Sequence, residues 1–212
     1  MSTNKISLNV VMDASGSMAP LKNDTIKGFN GFLEEQRQLP GEATLTLCIF
    51  NTRSTLLFES EEIKSIRNLT EKDYNPSGGT ALLDAIGKTI DSTEKKIAAM
   101  KEEDRPSKVL FMIITDGEEN SSSSYKIKAV KEMVTKHQQE AAPWEFVFVG
   151  AQGIDAISVG GAFGVAANNA VMYSADVIGT NHMYESMTRG TTKYRSEANA
   201  VFDASVFNPG RK

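Results

Sequence analysis

The sequence predicts an α/β domain with a doubly wound, mostly parallel sheet, helices on both faces and one antiparallel edge strand. Three observations carry that expectation. Short, nearly uninterrupted apolar runs alternate with segments whose apolar residues recur every three or four positions, the pattern of buried strands separated by amphipathic helices. Two of those runs, Ile6 to Met12 and Lys108 to Thr115, stop at an aspartate, Asp13 and Asp116. One connection, Asn51-Thr52-Arg53-Ser54, is too short for a parallel crossover and permits only a hairpin.

The elements follow in order. After the opening strand, Pro20 suits the first turn of a helix, and Ile26, Phe29, Phe32 and Leu33 continue it to Pro40-Gly41. A strand over 44–50 and a second from Thr55 form the hairpin. Ile63, Ile66 and Leu69 suggest a helical turn or two. Asn75 to Thr80 is a loop with two adjacent glycines, and a long amphipathic helix is expected to begin at about Thr80, carrying Leu82, Leu83, Ile86, Ile90 and Ile97. Pro106 separates it from the strand over 108–115. One of Ser122 to Ser124 is expected to cap the next helix, whose apolar face is Ile127, Val130, Val134 and His137. Strands at 144–149 and 170–173 flank a loop with a short helix. Thr180, Tyr184, Met187, Thr191 and Tyr194 mark a last helix. The expected division is one domain over 1–195 and a tail over 196–212 that either packs back on the domain or holds a partner.

Composition narrows the function classes. The 212 residues are 40% hydrophobic and 24% charged, which suits one large domain with a full core. A net charge of −4 without a basic stripe argues against nucleic acid as a partner. The charge run from Glu94 to Arg105 mixes both signs and reads as a solvated helix face. The longest apolar run, 109–114, is too short to span a bilayer, so no membrane role is expected. Cys48 is the sole cysteine, so no disulfide can form within the chain. With no room for a signal peptide before the first strand, the expected compartment is the cytoplasm.

In an open α/β sheet, ligands bind beyond the carboxyl ends of the strands. There the chain places Asp13-Ala14-Ser15-Gly16-Ser17, then Gly78-Gly79-Thr80 at a helix start, then Ile114-Thr115-Asp116-Gly117. Two carboxylates and three hydroxyls form a hard oxygen set of the kind Mg²⁺ accepts. These segments resemble the von Willebrand factor A domain, whose metal-ion-dependent adhesion site follows Asp-x-Ser-x-Ser, then Thr, then Asp. The resemblance covers about residues 5–195. It implies that Ser15, Ser17 and Thr80 offer hydroxyl oxygens to a divalent cation, and that Asp13 and Asp116 bind it directly or through water. It further implies Mg²⁺, with Mn²⁺ acceptable, and an open coordination position for an Asp or Glu carboxylate of a protein partner. Short stand-alone members of this kind resemble bacterial or phage-encoded cytosolic proteins. Glu118 and Glu119, just beyond Asp116, are expected to face solvent.

Other chemistries fit less well. Gly87-Lys88-Thr89 lacks the first glycine of a phosphate-binding loop, since Leu82 stands there. Gly160 to Gly164 follows no convincing strand. A Mg²⁺-dependent phosphohydrolase is the alternative class, because an aspartate ending the first parallel strand suits phosphoryl transfer. However, haloacid-dehalogenase-like phosphatases need a second acid two residues later, where this chain has Ser15. A response-regulator receiver needs a Lys after a late strand, where Gly150-Ala151 stands. His137 and His182 supply no partnered base, so a non-enzymatic role is expected. An assembly subunit with an incidental metal site is the third reading.

Overall fold

The computed structural model describes residues 5–207. Its strands are β1 (Ile6–Asp13), β2 (Ala43–Phe50), β3 (Ser54–Glu62), β4 (Lys108–Thr115), β5 (Glu145–Ala151) and β6 (Ala170–Tyr173). Its helices are α1 (Lys22–Gln38), α2 (Leu82–Ala98), α3 (Ile127–Gln138), α4 (Ala156–Ala162) and α5 (Val177–Ser196). The strands form one sheet in the order β3-β2-β1-β4-β5-β6. All pairs are parallel except β2 with β3, the hairpin that the short connection demands.

Strand β1 lies in the middle and is buried along its whole length. Because side chains alternate across a strand, Ile6, Leu8, Val10 and Met12 join the core under α1 and α5. Val11 joins the second core, under α2, α3 and α4, with Phe111, Ile113, Phe146 and Phe148. Asn9 lies on that second face as a buried amide. It is satisfied by Thr93 Oγ1 of α2, which donates to its Oδ1 at 2.8 Å. Connections from β1 and β4 leave toward opposite faces, so the carboxyl ends of these two neighbours form the switch point of the sheet. Asp13 and Asp116 sit there.

Several local expectations are corrected. Pro20 lies inside a 3-10 turn over Gly16–Leu21 that precedes α1. Helix α2 starts at Leu82, after Ala81, because Thr80 is held in the loop by bonds to Asn120. The 63–69 stretch makes no helix. Its Ile63, Ile66 and Leu69 are instead buried anchors of an irregular segment, which Ile63 N–H ties back to the Ala43 carbonyl. The residue before α3 is Lys126, with no side-chain cap. Of the serines ahead of it, Ser122 turns its backbone N–H toward Glu119 of the same loop, and Ser123 and Ser124 turn theirs toward Asp84 of α2. Ile127 is 47% exposed, so only Val130, Val134 and His137 form the buried face of α3. Beyond α5, Phe202 is buried and meets the Tyr194 ring edge-on, with centroids 6.2 Å apart.

Candidate metal site

The first loop leaves β1 at Asp13, whose side chain is fully buried. Its Oδ1 accepts the Ser15 N–H at 2.6 Å and its Oδ2 accepts Thr115 Oγ1 at 2.6 Å. Burial raises the pKa of this carboxyl, the bonds from Thr115 and Ser15 pull it down, and the charge of Asp116 raises it further. The local turn is thus an Asx turn, with Ser15 buried and Ser17 exposed. Tyr74 fixes the backbone from below by donating to the Asp13 carbonyl at 2.6 Å.

Two of the three predicted hydroxyls, those of Ser15 and Ser17, converge on Asp116. Ser17 Oγ donates to Asp116 Oδ1 at 2.7 Å, Ser15 Oγ lies 3.4 Å from the same oxygen, and the two serine oxygens are 3.0 Å apart. Around an octahedral Mg²⁺ with bonds near 2.1 Å, neighbouring ligand oxygens lie about 3 Å apart. The three oxygens therefore have the spacing of one face of such a polyhedron, and the donor set fits a small hard cation. Thr80 borders the same loop. A Cβ placed on Gly117 would stand 3.1 Å from Thr80 Oγ1 and 4.0 Å from Ser15 Oγ, so both hydroxyls border the same side of Gly117. Among the described residues no three His, Cys, Asp or Glu side chains form a metal-binding group. The cluster is instead two carboxylates and three hydroxyls. Thr80 is buried, Asp116 half-buried and Ser17 exposed, which leaves the Ser17 side open to solvent.

Backbone bonds stitch the three loops together. Gly16 N–H donates to the Gly78 carbonyl, Ser77 N–H to Ala14, and Ala81 N–H to Asn51. Gly78 has φ +71°, and a Cβ there would meet Thr52 Oγ1 at 2.5 Å, so only glycine serves. Thr52 Oγ1 in turn accepts Gly79 N–H at 2.9 Å.

Two residues beyond the predicted set organise the cluster. Asn120 Oδ1 accepts the Thr80 N–H at 2.8 Å, and Asn120 N–H donates to the Thr80 carbonyl at 3.0 Å. This two-bond clasp ties the threonine loop to the Asp116 loop. Glu119 does more than face solvent. Its Oε2 accepts Leu83 N–H at 2.9 Å in the first turn of α2, and its Oε1 accepts Ser121 and Ser122 N–H at 2.9 and 2.8 Å. A carboxylate at a helix N-terminus satisfies an orphan donor and meets the positive end of the dipole. Asp84 answers from α2 by accepting the N–H groups of Ser123, Ser124 and Tyr125. Glu118 is exposed, as expected.

No family model matches the sequence, and no curated protein matches it. Solved structures do. The chain is similar to the D319A mutant of the PilB minor pilin from Streptococcus sanguinis, with a TM-score of 0.64 at 10% identity, covering 93% of this chain and 64% of that one. A von Willebrand factor type A protein from Catenulispora acidiphila aligns with a TM-score of 0.58 at 12% identity, over 90% and 43% of the two chains. Proximal thread matrix protein 1 of the mussel byssus, in a structure with a zinc-occupied MIDAS motif, aligns with a TM-score of 0.56 at 14% identity, over 90% and 46%. The chain spans less than two thirds of the length of each of these three. The fold is that of von Willebrand factor A domains: a mostly parallel six-stranded sheet with one antiparallel strand, flanked by helices.

Proposed function

We propose that this chain is a metal-dependent protein-interaction module whose site is held by Asp13, Ser15, Ser17, Thr80 and Asp116. The observation that carries the reading is the oxygen triangle of Ser15, Ser17 and Asp116, with edges of 2.7, 3.0 and 3.4 Å, at the switch point of the sheet. When bound there, Mg²⁺ or Mn²⁺ would act as a Lewis acid toward a carboxylate oxygen from a partner's Asp or Glu. The chain's own residues do the rest. Asp13 and Asp116 balance the divalent charge. The three hydroxyls add oxygens without adding charge, which leaves the cation electrophilic. Ser17, on the solvent side, marks where the partner enters. The mussel structure with an occupied MIDAS motif supports the assignment by similarity of fold.

Binding is favoured over phosphoryl transfer by the state of Asp13. Both of its oxygens accept hydrogen bonds within the fold, from Ser15 N–H and Thr115 Oγ1, and the neighbour two residues on is the hydroxyl of Ser15 rather than a second acid. That leaves a poor nucleophile and no general acid beside it. We place the module in a reducing compartment such as the cytoplasm, which suits its single, buried thiol, Cys48. Among the described residues no helix is long and apolar enough to cross a membrane.

The test is thermal melting across a Mg²⁺ and Mn²⁺ titration for the wild type, Asp13→Ala and Ser17→Ala. A cation bound only by the folded chain raises Tm by linkage. The expected result is a rise in the wild type, lost in Asp13→Ala and reduced in Ser17→Ala. Unchanged wild-type melting at saturating metal refutes the site. Capture of partners from lysate with and without chelator then separates a metal-dependent grip from a scaffold whose metal is incidental.

A further inference from the structure

The loop that carries Asp116 also walls an apolar groove. Beyond Asp116 the chain runs through Glu118 and Glu119, and these two line a space of about 300 Å³ together with the start of α2, the first residue of α3 and the end of α4. Leu82, Leu83 and Phe163 are buried members of the core on this face of the sheet and form the floor. Ile127 and Ala162 stand exposed at the rim. A space of that size lies at the small end of ligand clefts and takes a large side chain or two. A single exposed Ile is ordinary on a protein surface. Here it stands over an apolar hollow, two residues of which continue the Thr80 loop into α2.

The two glutamates differ in what they leave free. Glu119 is occupied, since its oxygens accept the N–H groups of Leu83, Ser121 and Ser122 and the Ser122 hydroxyl. Glu118 is exposed, and among the described residues its carboxylate makes no hydrogen bond or ion pair. It stands two residues from Asp116, so an acidic segment approaching the candidate metal site meets an uncompensated negative charge beside it. Like charges juxtaposed across an interface suppress partners that bring nothing else. A segment that also carries a base turns the same charge into an attraction. The walls are tied together without any partner. Glu119 holds the first turn of α2, and Asp84 of α2 accepts the N–H groups of Ser123, Ser124 and Tyr125 ahead of α3. A groove built in advance lowers the ordering cost of binding.

We infer that this groove and Glu118 receive a short linear segment of a partner protein that carries, near its acidic residue, one large aliphatic or aromatic side chain and one Lys or Arg. The apolar side chain enters the groove over Leu83 and Phe163, and Ile127, 47% exposed, packs against it. The base pairs with Glu118 at the rim, where a charge contributes specificity more than affinity. The acidic anchor rests on the metal reading proposed for Asp13, Ser15, Ser17, Thr80 and Asp116, whereas the apolar and basic contacts do not.

The probe is a phage-displayed library of random linear peptides, selected on the full chain in saturating Mg²⁺. Enriched peptides are then titrated by fluorescence anisotropy against the wild type, Ile127→Asp and Glu118→Lys, with and without chelator. Ile127 is the first residue of α3 and exposed, and a carboxylate there suits a helix N-terminus, so Ile127→Asp keeps the fold, as circular dichroism checks. The expected peptides share an acid, a large apolar residue and a base. Ile127→Asp should weaken them about tenfold or more, the worth of burying one apolar side chain. Glu118→Lys should weaken them up to about fivefold, and should strengthen peptides whose base is replaced by Glu. No enrichment, enriched peptides without the apolar residue or the base, or binding indifferent to either substitution overturns the groove. Chelator separates the two readings. Binding that is lost in chelator but indifferent to Ile127→Asp and Glu118→Lys removes the groove and keeps the metal site. Binding that survives chelator and still falls in both variants keeps the groove and removes the metal anchor.

Discussion

Asn120→Ala separates the positioning of the site from its ligands. The side chain touches none of the oxygen triangle, yet its Oδ1 is the acceptor for Thr80 N–H at 2.8 Å and for Ser121 Oγ at 2.6 Å. Thr80 is only 3% exposed, so its N–H loses a partner that solvent cannot fully replace. Leaving one such donor unsatisfied costs about 1–2 kcal/mol. The exposed Ser121 hydroxyl turns to water at little cost. In a domain of this size the loss lowers Tm by roughly 2–8 °C. The backbone half of the clasp, Asn120 N–H to the Thr80 carbonyl, survives, so the loops stay joined while Thr80 loosens. Under the proposed function, an imprecise Thr80 hydroxyl weakens cation binding by about tenfold or more, as outer-shell substitutions do. The assay is melting at a series of Mg²⁺ concentrations. The variant should melt lower without metal and need about ten times more Mg²⁺ for the same gain, by the same mass-action argument that a tenfold loss of affinity shifts the curve one decade. An unchanged melting point in chelator refutes the clasp. A lowered melting point with an undiminished Mg²⁺ response refutes its role in placing Thr80.

Further expectations test other parts of the same reasoning. Gly117→Ala puts a methyl 3.1 Å from Thr80 Oγ1, so it should blunt the Mg²⁺ response while leaving circular dichroism unchanged. Asp73 accepts from Arg67, Thr70 N–H and Thr70 Oγ1, and the Arg67 guanidinium is the chief reason its carboxyl is held well below the usual range. A depressed folded-state pKa contributes stability that is complete above the unfolded value and disappears as pH falls toward the folded one. Asp73→Asn should therefore melt lower than wild type at neutral pH, and the gap should close in acid below about pH 4. Burial pushes the Cys48 thiol up to about 11, so iodoacetamide at pH 8 should modify it only on unfolding, read by intact mass.

What the sequence shows of this fold, it shows through periodicity and strand ends. Six strands, their antiparallel exception and five helices follow from runs such as Val109 to Ile114 and from the length of the 51–54 connection. The five oxygen-bearing residues follow from where those strands stop. The failures share one physical cause, which is partners remote in sequence. Thr80 stays out of α2 because Asn120, 40 positions later, holds its N–H. Glu119 finds Leu83 across 36 positions, and no local pattern distinguishes it from the solvent-facing Glu118. Ile63, Ile66 and Leu69 have a helical spacing, but the segment docks its backbone on β2 and uses that spacing for three anchors. Ser123 and Ser124 before α3 have the composition of a cap and instead serve Asp84, 39 and 40 positions earlier, with their backbone N–H groups.

Ser15 shows how much one side chain decides at the switch point. Its N–H closes the turn on Asp13, and its Oγ lies 3.0 Å from Ser17 and 3.4 Å from Asp116. A hydroxyl is donor and acceptor at once, so the same atom can steady a carboxylate with its proton and present lone pairs to a cation. An acid in its place would set a third negative charge beside Asp13 and Asp116, at separations where like charges disfavour joint ionisation. It would also bring a proton donor next to a strand-end aspartate, the arrangement a phosphoryl-transfer site needs. The serine keeps the local charge at two carboxylates, enough to neutralise one divalent cation and no more. Under the proposed function, a cation so balanced gains from one further carboxylate only if a partner brings it, and that is the physical basis on which the proposal takes this loop for a grip.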